Sequence, residues 1–147
     1  FCGLLFSTLS YARRVSDMGP DIEMTSSLKW LSVLGSGKVF SYPGYSDYIT
    51  YFGRKPAMIN TEPGENTQEL LNLTNEIFYS RRLDYTKSLL SKQNISYIVI
   101  DNKMRQGLVW AREDQGLLFL LRSNETFRKI YSGSTIEIWE YLPQTKK

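Results

Sequence analysis

Ser96-Tyr97-Ile98-Val99-Ile100-Asp101 is the stretch on which the fold turns. A strand with one wet face alternates apolar and polar side chains. Here Tyr97, Ile98, Val99 and Ile100 leave neither face polar. A strand of this kind belongs inside a parallel sheet covered by helices. On its amino side, Asp84 stands as the cap of a helix that carries Leu89 and Leu90 and stops near Asn94. Before that, Thr67 caps a helix with Leu70, Leu71, Ile77 and Phe78 inward, preceded by the loop Glu62-Pro63-Gly64-Glu65-Asn66. Ala57-Met58-Ile59-Asn60 and Lys38-Val39-Phe40-Ser41-Tyr42 read as short strands, the latter ended by Pro43-Gly44. Between them Tyr45, Tyr48, Ile49 and Phe52 recur at helical spacing, and Gly53 closes that helix. Asp21 caps a helix running to Leu34, with Met24, Leu28 and Leu31 on its apolar face. On the carboxyl side, residues 112–122 read as a helix with Leu117, Leu118 and Leu121 together. Residues 127–131 and 135–142 read as a hairpin around Ser132-Gly133-Ser134.

This alternation predicts the α/β class: a three-layer α/β/α domain with a mostly parallel central sheet and a C-terminal antiparallel hairpin. Residues 39–42, 57–60 and 97–100 are expected as parallel neighbours, with Ile98 and Ile100 buried. The domain is expected over residues 21–147, behind an apolar segment at 1–20 and with Lys146-Lys147 as a solvated tail.

The chain of 147 residues has 41% apolar and 22% charged side chains, which suits a packed core and not a disordered tail. It holds no histidine, which excludes His-based triads, His general bases and His-ligated zinc within it. The single cysteine, Cys2, excludes an internal disulfide framework. A net charge of +3 does not argue for nucleic acid, and Arg54-Lys55 and Arg81-Arg82 are only pairs. Residues 1–12 are mostly apolar and Arg13-Arg14 follows. Twelve residues are too few to cross a bilayer, which takes about 20. A packed helix, a signal-peptide core with its charges on the wrong side, and the end of a transmembrane helix remain as readings. The positive-inside rule would put Arg13-Arg14 on the cytoplasmic side, which argues against an external domain, but the rule is a bias summed over loops that two residues do not decide.

Gly35-Ser36-Gly37-Lys38 is not a phosphate loop. Ser32 stands where that pattern has its first glycine, Val39 replaces the metal-binding hydroxyl, and the stretch precedes a strand instead of opening a helix. In open α/β sheets, ligands bind beyond the carboxyl ends of the strands. Tyr42, Asp47, Asn60, Glu62, Asp101 and Asn102 follow the three expected parallel strands. Asp47, Glu62 and Asp101 have the oxygen chemistry for a hard cation or a sugar. Equally, turns are simply built from Asn, Asp and Gly. Tyr45, Tyr48 and Phe52 are expected on the sheet, while Tyr42 and Tyr51 are the aromatics free to stack on a ring. Three sequons, at Asn72, Asn94 and Asn124, fit a glycan-bearing external face. Spacing implies no cofactor and no metal set.

Several segments in order carry a family resemblance. They are Leu28-Lys29-Trp30-Leu31, Lys38-Val39-Phe40-Ser41-Tyr42-Pro43, and Tyr48-Ile49-Thr50-Tyr51-Phe52-Gly53-Arg54-Lys55-Pro56. Ile95 through Asp101, Phe127-Arg128-Lys129-Ile130-Tyr131 and Ile136-Glu137-Ile138-Trp139-Glu140-Tyr141 follow. Together they resemble the carboxyl-terminal soluble domain of polytopic membrane glycosyltransferases that use lipid-linked sugar donors. The group includes protein mannosyltransferase-like and oligosaccharyltransferase-like proteins of archaea and bacteria. The resemblance implies a non-catalytic, extracytoplasmic domain, attached to the membrane and packed on the membrane portion of the same polypeptide. It implies a glycan or protein acceptor as a partner. It puts Arg54 in the "Y-hydrophobic-G-R" piece, where an acidic neighbour is the expected partner. The loops that carry the family's catalytic carboxylates have no match here. The oligosaccharyltransferase signature Trp-Trp-Asp-Tyr-Gly is also absent, with Trp30, Trp110 and Trp139 far apart. Two other readings stay open: a free-standing α/β binding module for a sugar, nucleotide or metal, and an interaction ectodomain of another membrane protein.

Overall fold

The computed structural model describes residues 20–60 and 66–143, so the apolar stretch before Pro20, Glu62 and the terminal lysines lie outside the described residues. Asp21 caps α1 (Ile22–Ser32): its Oδ1 accepts from the Met24 N–H at 2.6 Å. Met24, Leu28 and Leu31 are buried, as the spacing requires. Then come β1 (Lys38–Phe40), a 3-10 turn (Pro43–Tyr45), α2 (Ser46–Gly53), α3 (Thr67–Tyr79), α4 (Leu83–Lys92) and β2 (Ile95–Asp101). A wide π-type turn (Met104–Leu108), α5 (Gly116–Leu120), β3 (Phe127–Ser132) and β4 (Ile136–Tyr141) complete the order.

The sheet is mixed, in the order β1-β2-β4-β3. The expected mostly parallel sheet does not form. Only β1 and β2 run parallel; β2–β4 and β3–β4 are antiparallel. The segment at 57–60 contributes one isolated parallel bridge, Val39 to Ala57. Its bonds are Val39 N–H to the Pro56 carbonyl and Met58 N–H to the Val39 carbonyl, both 2.9 Å. Pro56 has no N–H to extend that ladder on its amino side, and on the other side the chain bends at Met58 and Ile59. The two-faced strand finds its second neighbour in the hairpin instead, and β4 lies directly against it.

β2 is covered on both faces. Ile98 and Ile100 are fully buried on one, and Tyr97, Val99 and Asp101 are buried on the other. Phe40, opposite Ile98, packs on Phe78 of α3 at 4.8 Å between ring centroids. On the other face, Trp30 of α1 lies 5.2 Å from Tyr131 of β3. Burying a side chain such as Ile98 or Ile100 stabilises the fold by about 1.5–3 kcal/mol.

Three local features depart from the sequence expectation. α2 is closed not by Gly53, which is its last helical residue and buried against Leu28, but by Arg54 in the left-handed region (φ 48°). The helix expected over 112–122 shrinks to Gly116–Leu120, because Gly116 adopts φ +51°. A Cβ there would stand 2.1 Å from the Phe78 carbonyl oxygen, so only glycine permits this approach of α5 to α3. The α4 cap falls on Arg82, whose N–H bonds Ser80 Oγ, and Asp84 sits in the first turn. Among the described residues no helix is long and apolar enough to cross a membrane.

Candidate functional site

The parallel pair gives the sheet one end where two strands finish side by side, and both exits are tied down. Ser41 Oγ, just after β1, donates to the Val99 carbonyl at 2.7 Å. Asp101, the last residue of β2, receives Tyr45 Oη–H on Oδ2 at 2.8 Å and the Met104 N–H on Oδ1 at 2.9 Å. The carboxylate thus anchors the turn after β1 to the turn after β2. Tyr45 is 2% exposed, and burial first, then the charge of Asp101, push its phenol well above the ordinary value.

Over these turns lies an open groove of about 260 Å³, lined by Tyr42, Leu71, Asn75, Phe78, Tyr79 and Leu108 among others. Tyr79 Oη donates to the Val109 carbonyl at 2.8 Å and holds the wall in place. The floor is apolar, and Asn75 brings an exposed amide to the rim. Such a groove suits a flat apolar or sugar face with one or two hydrogen bonds.

The structure brings Tyr42 and Asp101 together through Tyr45, which meets Tyr42 edge-on at 5.4 Å. Asp47 lies exposed in the first turn of α2, and Arg54 lies exposed at that helix's far end. Seven residues of helix, about 10 Å of rise, separate them. Among the described residues no carboxylate pairs with Arg54 within salt-bridge distance. Tyr51 faces solvent, 77% exposed, whereas Tyr42 is half-buried. No group of three or more His, Cys, Asp or Glu gathers to hold a metal ion among the described residues. Sequence reasoning missed Leu71, Asn75, Tyr79 and Leu108. The first three sit among ordinary helix residues, and Leu108 follows the turn that Gly107 makes with φ 113°.

The sequon asparagines are all exposed. Asn72 lies inside α3, and its partner Thr74 is buried with its hydroxyl on the Leu70 carbonyl. Asn94 takes φ 55° in the turn before β2, and Asn124 lies in the turn before β3.

A second polar cluster braces the hairpin. Arg105 pairs with Glu113 and, at 2.6 Å, with Glu137, which also receives Lys129 at 2.7 Å. Burial pushes the Glu137 carboxyl up, but Lys129 and Arg105 outweigh it and hold the group below its ordinary value. On the opposite face Glu23 of α1 reaches the hairpin turn. It accepts from Ser134 Oγ, Thr135 N–H and Thr135 Oγ1, which lower its carboxyl to about 2.

No protein-family model matches the sequence, and no curated protein matches it by sequence. Solved structures do match the fold. The C-terminal globular domain of an oligosaccharyltransferase from Archaeoglobus fulgidus superposes with a TM-score of 0.64 at 13% identity, over 84% of this chain and 99% of that domain. A second Archaeoglobus fulgidus oligosaccharyltransferase, tethered to an acceptor peptide containing an NVT sequon, superposes with a TM-score of 0.50 at 14% identity. The match there covers 86% of this chain but 19% of that protein. At this identity the likeness is one of fold: the chain is built like the C-terminal globular domain of an archaeal oligosaccharyltransferase.

Proposed function

We propose that this chain is a non-catalytic, extracytoplasmic domain of a membrane-bound glycosyltransferase-like protein, packed on the membrane portion of the same polypeptide and contacting the acceptor. The observation that carries the reading is the extent of the fold likeness. It covers 99% of an isolated C-terminal globular domain and only 19% of a whole transferase. Residues 21–147 then form the appended domain, read as three α/β/α layers because β2 is buried on both faces. The apolar stretch at 1–20 is read as the end of the preceding transmembrane helix. A mannosyltransferase-like parent and an oligosaccharyltransferase-like parent both fit this arrangement.

The non-catalytic assignment rests on the strand-end chemistry. Transfer of a sugar needs a positioned acid or base and a site for the developing charge. Both oxygens of Asp101 already accept hydrogen bonds that hold two turns together. Asp47 and Arg54 sit on the exposed surface of α2, and there we assign them, with Glu62, to contacts with the membrane portion. The groove beside Tyr42 is the seat for the acceptor, with Tyr42 as the stacking ring and Asn75 as the hydrogen-bonding group. Glycans on the chain itself belong on Asn94 and Asn124, which lie exposed in turns, sooner than on Asn72 within α3.

The test compares the purified chain with the polypeptide encoded together with whatever precedes Phe1. Both are incubated with lipid-phosphate sugars and peptide acceptors. The longer protein is expected to transfer sugar and the chain alone to show none. Turnover by the isolated chain would overturn the reading, and its loss in an Asp101→Asn variant that keeps the fold would make the strand-end carboxylate catalytic. Absence of transmembrane spans upstream of Phe1 would remove the membrane portion and, with it, the proposal.

A further inference from the structure

We propose that Arg81, Arg122 and Phe119 form a seat for the phosphates of an anionic bilayer surface. Phe119 lies on α5 and is 39% exposed. The guanidinium carbon of Arg81 stands 4.8 Å from its ring centroid, and that of Arg122 stands 5.9 Å from the same centroid. Arg82, next in the chain, lies 5.9 Å from the Tyr85 ring. Among the described residues none of these three arginines has a carboxylate within salt-bridge distance. Glu113, which lines the same pocket as Arg122, is engaged by Arg105.

The convergence is built into the backbone. Arg81 follows the end of α3, and Phe119 and Arg122 ride on α5 or just after it. These two elements are locked where Gly116 lets α5 meet the Phe78 carbonyl, which also accepts Trp110 Nε1–H at 2.8 Å. Among the described residues, two like charges are thus held against one ring with no carboxylate within salt-bridge distance of either. Each guanidinium leans on the face of the ring, and the field of the two charges is free to meet an anion.

The occupant follows from the shape. A free phosphate needs an enclosing nest of N–H groups, and here only two exposed guanidiniums flank an exposed ring. A bilayer of anionic lipids offers many phosphates at once, with an apolar boundary for the ring. The patch goes beyond the transferase reading and stands or falls without it, because vesicle binding needs neither sugar donor nor acceptor.

The experiment is sedimentation of the whole chain with vesicles of phosphatidylcholine alone, or with about 30% phosphatidylglycerol added. Arg81→Gln/Arg122→Gln is expected to bind the anionic vesicles about 30-fold more weakly, roughly fivefold per arginine. Phe119→Ala is expected to weaken binding to both vesicle types. Arg81→Lys/Arg122→Lys keeps the charge and is expected to keep the binding. Lys29→Gln/Arg128→Gln removes two charges from the opposite side of the sheet and is expected to stay within about threefold. Equal loss in the two glutamine pairs reduces the effect to net charge and overturns the proposal. So does unchanged binding by Arg81→Gln/Arg122→Gln. Displacement of the chain from vesicles by millimolar inorganic phosphate would transfer the site to a free anion and overturn it as well.

Discussion

Tyr45→Phe isolates the bond that joins the two strand exits. The substitution removes one oxygen and leaves the ring in place, so the loss is the hydrogen bond to Asp101 Oδ2 at 2.8 Å. The acceptor is a carboxylate only 7% exposed, and its other oxygen is already occupied by the Met104 N–H. A hydrogen bond to a charged group contributes about 1.5–3 kcal/mol. Leaving Oδ2 buried without a donor adds desolvation that water recovers only in part. We expect a loss of about 2–3 kcal/mol in urea unfolding at neutral pH. The m-value should stay fixed, since no surface is added to the unfolded state. A double-mutant cycle with Asp101→Asn should give a coupling of at least about 1 kcal/mol, because the two residues share one bond. The phenol also has an alkaline signature, set first by its burial and then by the charge of Asp101. The folded phenol ionises above its ordinary value, so its stabilisation is complete below the unfolded tyrosine value. It fades as pH rises through and beyond that value. Tyr45→Phe should remove that alkaline loss. A cost below about 0.5 kcal/mol with zero coupling would mean that Asp101 is hydrated in solution and that the two turns are held by other contacts.

Ile100→Ala should cost roughly 2–5 kcal/mol in the same assay, since the side chain is fully buried at the centre of the sheet. Lys55→Met keeps the aliphatic stem but removes the ammonium that caps α1 through the Leu34 and Gly35 carbonyls at 3.1 and 2.7 Å. It should destabilise by about 1–3 kcal/mol, and Lys55→Arg should not restore the loss in so confined a site. For Glu23, a carboxyl titration followed by NMR should show a midpoint near 2. Its folded value lies below the unfolded one of 4.5, so its contribution is present above pH 4.5 and disappears as pH falls toward 2. Gly133→Ala should abolish that depression, because the added methyl would meet Glu23 Oε1 at 1.8 Å and drive the carboxylate off Ser134 and Thr135.

What the sequence made legible was what local chemistry decides. The Asp21 cap, the Met24–Leu28–Leu31 face and the two-faced run before Asp101 each act within a few residues, and each stands where the pattern puts it. Strand pairing is different. The residues at 57–60 are apolar enough to be a strand, but pairing depends on neighbours staying in register: Pro56 lacks the N–H for a bond before the single bridge, and the chain bends at Met58 and Ile59 just after it. Being apolar on both faces identifies a covered strand, not the direction of its neighbours. The inference to a parallel sheet therefore failed on the β4 side while burial was right. Helix ends show the same limit. A glycine at position 116 is compatible with a helix interior at modest cost, and only its contact with α3 forces the positive φ that shortens α5.

The site was less legible because polar residues at strand ends have two competing uses. Asp101 and Tyr42 do meet, but through Tyr45, a residue that periodicity assigned to the core and that supplies the hydroxyl spending the carboxylate on structure. No spacing rule links positions 45 and 101, since their contact exists only once β1 and β2 lie parallel. The arginine pair on Phe119 is hidden in the same way: Arg81 and Arg122 are distant in sequence and brought together by one glycine. An acid tied to the turns that close the sheet's end rigidifies that end at the expense of a free base. That is the physical reason for looking to the grooves and charged rims of this fold, and not to Asp101, for contacts with a ligand.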